Sequence, residues 1–169
     1  PAILRYAEAA RAAALLRGAR IGMMGYRDMN LYGTLHDGVS LRAAIGPEVE
    51  VFEMLEMDQA VAALKPADVK ALAADTLKRW TFVKAPKAGT IENSVRLYLA
   101  LKAKVRERGY QAISLKDVDG VKKLMGFAPA GVFMLLHEHD DICTVPENDV
   151  LGAVTQLMVR GTTGQAAAY

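Results

Sequence analysis

The sequence has 169 residues, of which 52% are hydrophobic and 24% are charged, and its formal net charge at pH 7 is +2. This composition is typical of one globular domain with a filled core, and it excludes a disordered chain. Lysines and arginines are scattered among acidic residues, so no basic stripe indicates nucleic-acid binding. No apolar run approaches the roughly 18 to 20 residues needed to cross a bilayer, so we expect no membrane-spanning helix.

The single cysteine and the chain ends set expectations about location and domain organisation. Cys143 is the only cysteine, which excludes an internal disulfide and favours a reducing, cytoplasmic location. The chain begins at Pro1 and ends in the apolar run QAAAY. We therefore expect residues 1–169 to form a single α/β domain of a longer protein.

Helical and strand-like patterns alternate along the chain, with glycine or proline near most boundaries. In chain order, the patterns predict a helix over 2–17, a strand over 20–24, a helix over 39–45, a strand over 48–53, helices over 57–64, 66–80 and 90–108, a strand over 110–115, helices over 118–125 and 129–137, a strand from 142, a helix over 150–160 and a strand after 164. Strands that alternate with helices form right-handed crossovers. We therefore expect a three-layer, Rossmann-like α/β fold with a mostly parallel sheet flanked by helices.

The sequence ICTVPENDVLG contains the most informative boundary between a strand and a helix. The strand stops at Pro146, and Glu147, Asn148 and Asp149 open the last helix. Side chains in this position lie at the carboxyl edge of the sheet, where open α/β folds bind ligands. Asn148 or Asp149 can cap the helix, whereas Glu147 can be a metal ligand or a general acid–base. The tripeptide alone leaves both interpretations open.

Other polar segments are less specific. The sequence HEHDD at 137–141 contains metal-ligating residue types but matches no established ligand spacing, so a solvated loop is the simpler interpretation. His36 with Asp37 is similarly ambiguous. The glycines of GMMGYRDM around the first strand are not in the order of a dinucleotide-binding turn, and no P-loop is present, which argues against nucleotide binding.

The segment PENDVLGAVTQLMVRGTTGQAAAY resembles part of the L-fucose isomerases and the related L-arabinose isomerases. In that family a Glu-Asn-Asp tripeptide follows a strand and opens a helix, and a Thr-Gly turn leads into the next strand. The spacing from Glu147 to Thr163 and Gly164 fits this pattern. The N-terminal part is similar as well, since a glycine- and methionine-containing loop at 25–29 follows the first strand, with Asp37 beyond it. The resemblance covers nearly the whole chain and places it as the central domain of such an isomerase.

The resemblance implies an aldose–ketose isomerase of carbohydrate metabolism that acts on a monosaccharide through an ene-diol mechanism with Mn²⁺. Glu147 stands where the family has a catalytic, metal-ligating glutamate. Met29 stands where the family has a substrate-contacting methionine. Lys116 and Asp119 follow the third strand, where they replace a glutamine-rich sugar-binding loop, and we expect them to bind substrate.

The resemblance also implies supporting residues and missing parts. Asn148, Asp149 and Asp37 would support the site by orienting Glu147 without binding the metal themselves. The family's second carboxylate lies just beyond QAAAY and its metal-binding histidine in a later domain, so we expect these 169 residues alone to bind Mn²⁺ weakly and to be inactive. The family assembles as homo-oligomers. The alternative is a non-catalytic sugar-binding or regulatory α/β module.

Overall fold

The computed structural model describes residues 2–167 and shows strands and helices that alternate along the chain. Within this range the elements are α1 (Ala2–Gly18), β1 (Arg20–Met24), α2 (Gly38–Ala44), β2 (Glu48–Phe52), α3 (Met54–Ala62), α4 (Pro66–Arg79), α5 (Thr90–Arg108), β3 (Ala112–Leu115), a π-helix (Asp117–Met125), α6 (Ala130–Asp140), β4 (Cys143–Val145) and α7 (Val150–Thr163). None of these helices is long and apolar enough to cross a membrane.

The four strands form one parallel sheet in the order β2-β1-β3-β4. In the register, Ile21 of β1 pairs with Val49 of β2 on one side and with Ala112 of β3 on the other. Parallel neighbours require crossover connections, which the helices provide. The predicted α/β fold class, a three-layer Rossmann-like arrangement with a parallel sheet, is confirmed.

The helices cover both faces of the sheet. On one face, α3 to α6 and the π-helix enclose a core that contains Met24 and Ile113. On the other face, α1, α2 and α7 enclose a core that contains Ile21 and Met23. Successive strand residues point to opposite faces, which is why the neighbours Met23 and Met24 belong to different cores.

A small residue lets α1 and α7 approach closely on the second face. A Cβ added at Gly161 of α7 would lie 2.9 Å from Cβ of Ala12 and 3.0 Å from its Cα. The contact atoms belong to the rigid part of α1. Gly161 is therefore a packing requirement of the interface between the two helices.

Two local predictions were wrong. The segment HEHDD is not a solvated loop, because α6 continues to Asp140. Asp141 caps the C-terminus of the helix with a φ of 53°. Tertiary partners hold these polar residues in the helix: Glu138 accepts the Trp80 indole N–H at 3.0 Å, and Asp140 accepts the Tyr98 hydroxyl at 2.8 Å.

The second error concerns the C-terminal end. The strand predicted after Gly164 is absent from residues 165–167, because α7 extends to Thr163 and Gly164 ends it with a φ of 72°. Residues 168 and 169, to which that prediction also applied, lie outside the described residues. The short helix predicted over 118–125 is present, but as a π-helix that begins at Asp117.

Candidate functional site

The carboxyl edge of the sheet brings together the segments that follow β1, β3 and β4. The chain leaves β1 toward β2 and returns to β3 on the other side, so the strand order switches direction between β1 and β3. Such a switch point opens a crevice in which α/β folds bind ligands. Gly25 follows β1, Lys116 follows β3, and residues 146–149 follow β4.

Glu147 lies in a strained turn between β4 and α7. The φ angles of Glu147 and Asn148 are 61° and 55°, a left-handed conformation that costs a non-glycine residue about 1 kcal/mol or more. Three hydrogen bonds hold the turn: Glu147 N–H donates to Asp117 Oδ1 at 2.7 Å, Asn148 N–H to the Leu115 carbonyl at 3.1 Å, and Asn148 Nδ2 to the Met24 carbonyl at 2.9 Å. The turn is therefore tied to the ends of β1 and β3.

The side chain of Glu147 is half-buried, and within residues 2–167 its carboxylate makes no hydrogen bond or ion pair. A carboxylate whose backbone is fixed but whose oxygens have no protein partner is suited to bind a cation or to exchange a proton. The next two residues differ. Asp149 caps α7 by accepting the Gly152 N–H at 2.9 Å, which confirms the predicted helix cap.

Asn148 is buried, with 1% of its surface exposed, and contributes to the turn rather than to the cap. Its side-chain N–H donates to the Met24 carbonyl, whereas its buried Oδ1 has no hydrogen-bond partner in the described part of the chain. Through this hydrogen bond the side chain joins the Glu147 turn to β1.

Three predicted substrate residues lie near one another at the switch point. Met29 N–H donates to Asp119 Oδ2 at 2.8 Å, and Lys116 Nζ donates to the carbonyl of Arg27 at 2.7 Å. Gly25 allows this close contact between loops, since a Cβ there would lie 3.1 Å from Lys116 Cβ. A hydrogen bond from Lys123 lowers the pKa of Asp119, so this carboxylate is ionised at neutral pH.

The hydrogen bonds of the Asp37 side chain in residues 2–167 do not involve this group. It caps α2, where its carboxylate accepts the Val39 N–H at 3.0 Å and the Ser40 hydroxyl at 2.6 Å. These hydrogen bonds lower the pKa of Asp37, and the one from the Ser40 hydroxyl has the largest effect. Asp37 therefore has a local structural role in α2.

The structure adds two buried carboxylates that sequence reasoning missed. Asp28 is fully buried and accepts main-chain N–H groups from Met29 at 3.0 Å, Val118 at 2.8 Å and Asp119 at 2.8 Å. Asp117 is 4% exposed, and burial raises its pKa. Both follow a strand directly or within a few residues, which is the same signal that singled out Glu147.

The described residues do not by themselves complete a metal centre. No group of three or more His, Cys, Asp or Glu side chains within residues 2–167 is arranged to hold an ion. Both oxygens of Asp28 already accept main-chain N–H groups, whereas the Glu147 carboxylate has open coordination capacity.

The acidic side chains of the HEHDD segment form ion pairs with basic residues and are not arranged as metal ligands. Glu138 pairs with Arg79, Asp140 lies 3.0 Å from Lys102 Nζ, and Asp141 pairs with Arg160. These contacts account for its acidic side chains.

A separate cleft of about 480 Å³ lies at the opposite, amino edge of the sheet. Its lining includes Arg11, Gln111, Ile142 and Arg160. None of the residues predicted for the site lines this cleft.

Family models and curated proteins give no relative on which to base an assignment. No protein-family model matches the sequence, and no curated protein matches it significantly. The geometry of the carboxyl edge is therefore the basis for assigning a function.

Proposed function

We propose that the chain is the central domain of a metal-assisted aldose–ketose isomerase similar to the L-fucose and L-arabinose isomerases. In this proposal Glu147 is one ligand of Mn²⁺ and the carboxylate that moves the proton. One observation carries the proposal: a half-buried carboxylate without a side-chain partner in residues 2–167 is presented by a fixed, left-handed turn at the carboxyl edge of a parallel sheet.

The chemistry explains why such a carboxylate is needed. The C2–H bond of an open-chain aldose breaks, its electron pair forms the C1–C2 double bond of an ene-diol, and O1 takes up a proton. The carboxylate then returns the proton to C1 while the O2–H bond breaks, which leaves the carbonyl at C2. The proton that O2 gives up balances the one that O1 took up. A carboxylate beside C1 and C2 carries the proton between the two carbons. A bound divalent cation supplies stabilisation of the negative charge that develops on the sugar oxygens.

The residues around the switch point suit a monosaccharide. Met29 is 36% exposed and offers apolar surface to a sugar ring or carbon chain. Lys116 donates one hydrogen bond to a carbonyl and has two further N–H donors, and the Asp119 carboxylate has lone pairs beyond those already used. We assign these three residues to the sugar hydroxyls and carbon chain.

The proposal also includes the partners of this domain. The remaining metal ligands come from further domains of a longer chain, and the active assembly is a homo-oligomer. The single, buried Cys143 favours a reducing, cytoplasmic location.

The alternative function is a non-catalytic sugar-binding or regulatory α/β module. It relies on the same crevice and the same polar side chains, which can bind hydroxyl groups without chemistry. Sugar binding in the presence of a chelator separates the two functions, because the isomerase site holds its substrate through the ion.

The decisive experiment compares wild-type and Glu147→Gln forms of the longest natural protein that contains this chain. Aldoses, beginning with L-fucose and L-arabinose, are incubated in D₂O with Mn²⁺ or with EDTA, and ketose formation and deuterium incorporation are followed by NMR. We expect turnover only with the ion, and a loss on the order of a hundredfold or more in Glu147→Gln. Thermal unfolding by circular dichroism establishes that the variant is folded.

Glu107→Gln is the matched control, since Glu107 is an exposed glutamate on α5 with ion pairs to its own helix. It should keep full activity. Full activity of Glu147→Gln, or turnover that persists in EDTA, would rule out the proposed mechanism. Tight sugar binding in EDTA without any isomerisation would favour the binding module.

A further inference from the structure

The first turn of the π-helix contacts both loops that carry predicted site residues. Asp117 accepts the Glu147 N–H at 2.7 Å, and Asp119 accepts the Met29 N–H at 2.8 Å. π-helical segments are rare and are frequently found at functional sites. This turn lies between the two loops and binds each of them through a carboxylate.

Asp117 is itself held in place. It is 4% exposed, and Lys122 Nζ lies 3.5 Å from its second carboxylate oxygen. The following residues, Val118 and Asp119, are fixed because Asp28 accepts both of their N–H groups at 2.8 Å. Asp117 therefore acts on Glu147 from a rigid position.

Glu147 needs such an external constraint. Its φ of 61° is unfavourable for a residue with a side chain, and a return to the right-handed region would swing its Cβ in a new direction. The hydrogen bond from the Glu147 N–H to the Asp117 carboxylate supplies this constraint. We propose that Asp117 is a positioning residue that fixes the direction in which Glu147 presents its carboxylate.

The contact can be tested without any activity measurement. In the ¹⁵N-labelled full chain, hydrogen exchange at the Glu147 amide is compared in wild type, Asp117→Ala and Asp117→Asn. We expect exchange to speed up about tenfold or more in Asp117→Ala and to return toward the wild-type rate in Asp117→Asn, whose amide oxygen still accepts the bond. Asp37→Ala is the matched control, because Asp37 also accepts a main-chain N–H but its side-chain hydrogen bonds within residues 2–167 are to α2.

The consequence for turnover rests on the proposed isomerase function. In the longest natural protein, Asp117→Ala should lower kcat by tenfold or more with little change in KM for the sugar, and Asp117→Asn should restore most of kcat. If Asp117→Ala does not fold, Asp117→Leu takes its place, because leucine fills a similar volume in this buried position without an acceptor.

The two readouts separate the failure of this inference from the failure of the proposed function. Unchanged Glu147 exchange in Asp117→Ala or Asp117→Leu overturns the positioning role. If the Glu147 amide exchanges faster in the variant but kcat does not fall, Asp117 positions Glu147 without contributing to catalysis. If no form isomerises a sugar, the proposed function falls, and the exchange rate alone decides whether Asp117 positions Glu147.

Discussion

Replacing Asp28 with alanine should destabilise the chain by about 3 kcal/mol. Asp28 is fully buried and accepts three main-chain N–H groups, those of Met29, Val118 and Asp119. The Met29 N–H also donates to Asp119 Oδ2, so it keeps one acceptor in the variant. The N–H groups of Val118 and Asp119 lose their acceptor, and each lost hydrogen bond costs on the order of 1–3 kcal/mol. Val118 and Asp119 are half-buried, so water replaces part of the loss and the upper end of this range is not reached.

The assay is urea unfolding followed by circular dichroism. The urea midpoints of the variants are compared, and an unchanged m-value shows that the shift in midpoint reports stability. Asp37→Ala is the reference, because it removes an exposed helix cap and should cost only about 1 kcal/mol. Asp28→Asn should lie between wild type and Asp28→Ala, since one acceptor oxygen remains. A loss in Asp28→Ala no larger than in Asp37→Ala would refute the view that this buried carboxylate holds the first turn of the π-helix.

Three further predictions concern packing, pH and thiol reactivity. Gly161→Ala should destabilise by about 1–3 kcal/mol, because the new Cβ would meet Ala12 at 2.9 Å and force α1 away from α7. Burial alone would raise the pKa of Asp140. The hydrogen bonds to its carboxylate, of which the one from Tyr98 has the largest effect, outweigh burial and lower the pKa below its ordinary value. Its stabilisation is therefore present above the unfolded-state pKa and lost as pH falls through the lower folded-state pKa. Asp140→Asn should destabilise the chain more at pH 7 than at pH 3 in urea unfolding. Burial raises the pKa of the Cys143 thiol, so its reaction with Ellman's reagent at pH 7 should be slow until urea unfolds the chain.

Each of these three predictions has a control and a contradicting result. Gly18→Ala adds a Cβ with no atom within 4 Å and should be nearly neutral, so equal losses at both glycines would contradict the packing argument. Asp58→Asn, at an exposed position of α3, is the control for Asp140→Asn and should change the free energy of unfolding little. An equal effect of Asp140→Asn at both pH values would exclude a role for its charge. Rapid reaction of Cys143 in the folded chain would show that the thiol is accessible.

Local sequence signals predicted most of the elements because their boundaries are encoded locally. The bounds of β1 and α5 were predicted as they occur, since a short apolar run between glycines has no room for a helix and Gly109 ends α5 with a φ of 66°. The HEHDD segment was missed because its polar composition is typical of loops. Only the fold supplies Trp80 and Tyr98 as partners that keep Glu138 and Asp140 in the last turn of α6.

The sequence by itself determined that a parallel α/β fold forms and that Glu147 follows a strand at its carboxyl edge. Only the tertiary structure decided what holds Glu147 in its direction. Asp117 lies 30 residues earlier, and its hydrogen bond to the Glu147 N–H exists only once β3 and β4 are neighbours in the sheet. Strand order arises from the packing of the whole domain, so no local pattern around either residue could predict that contact.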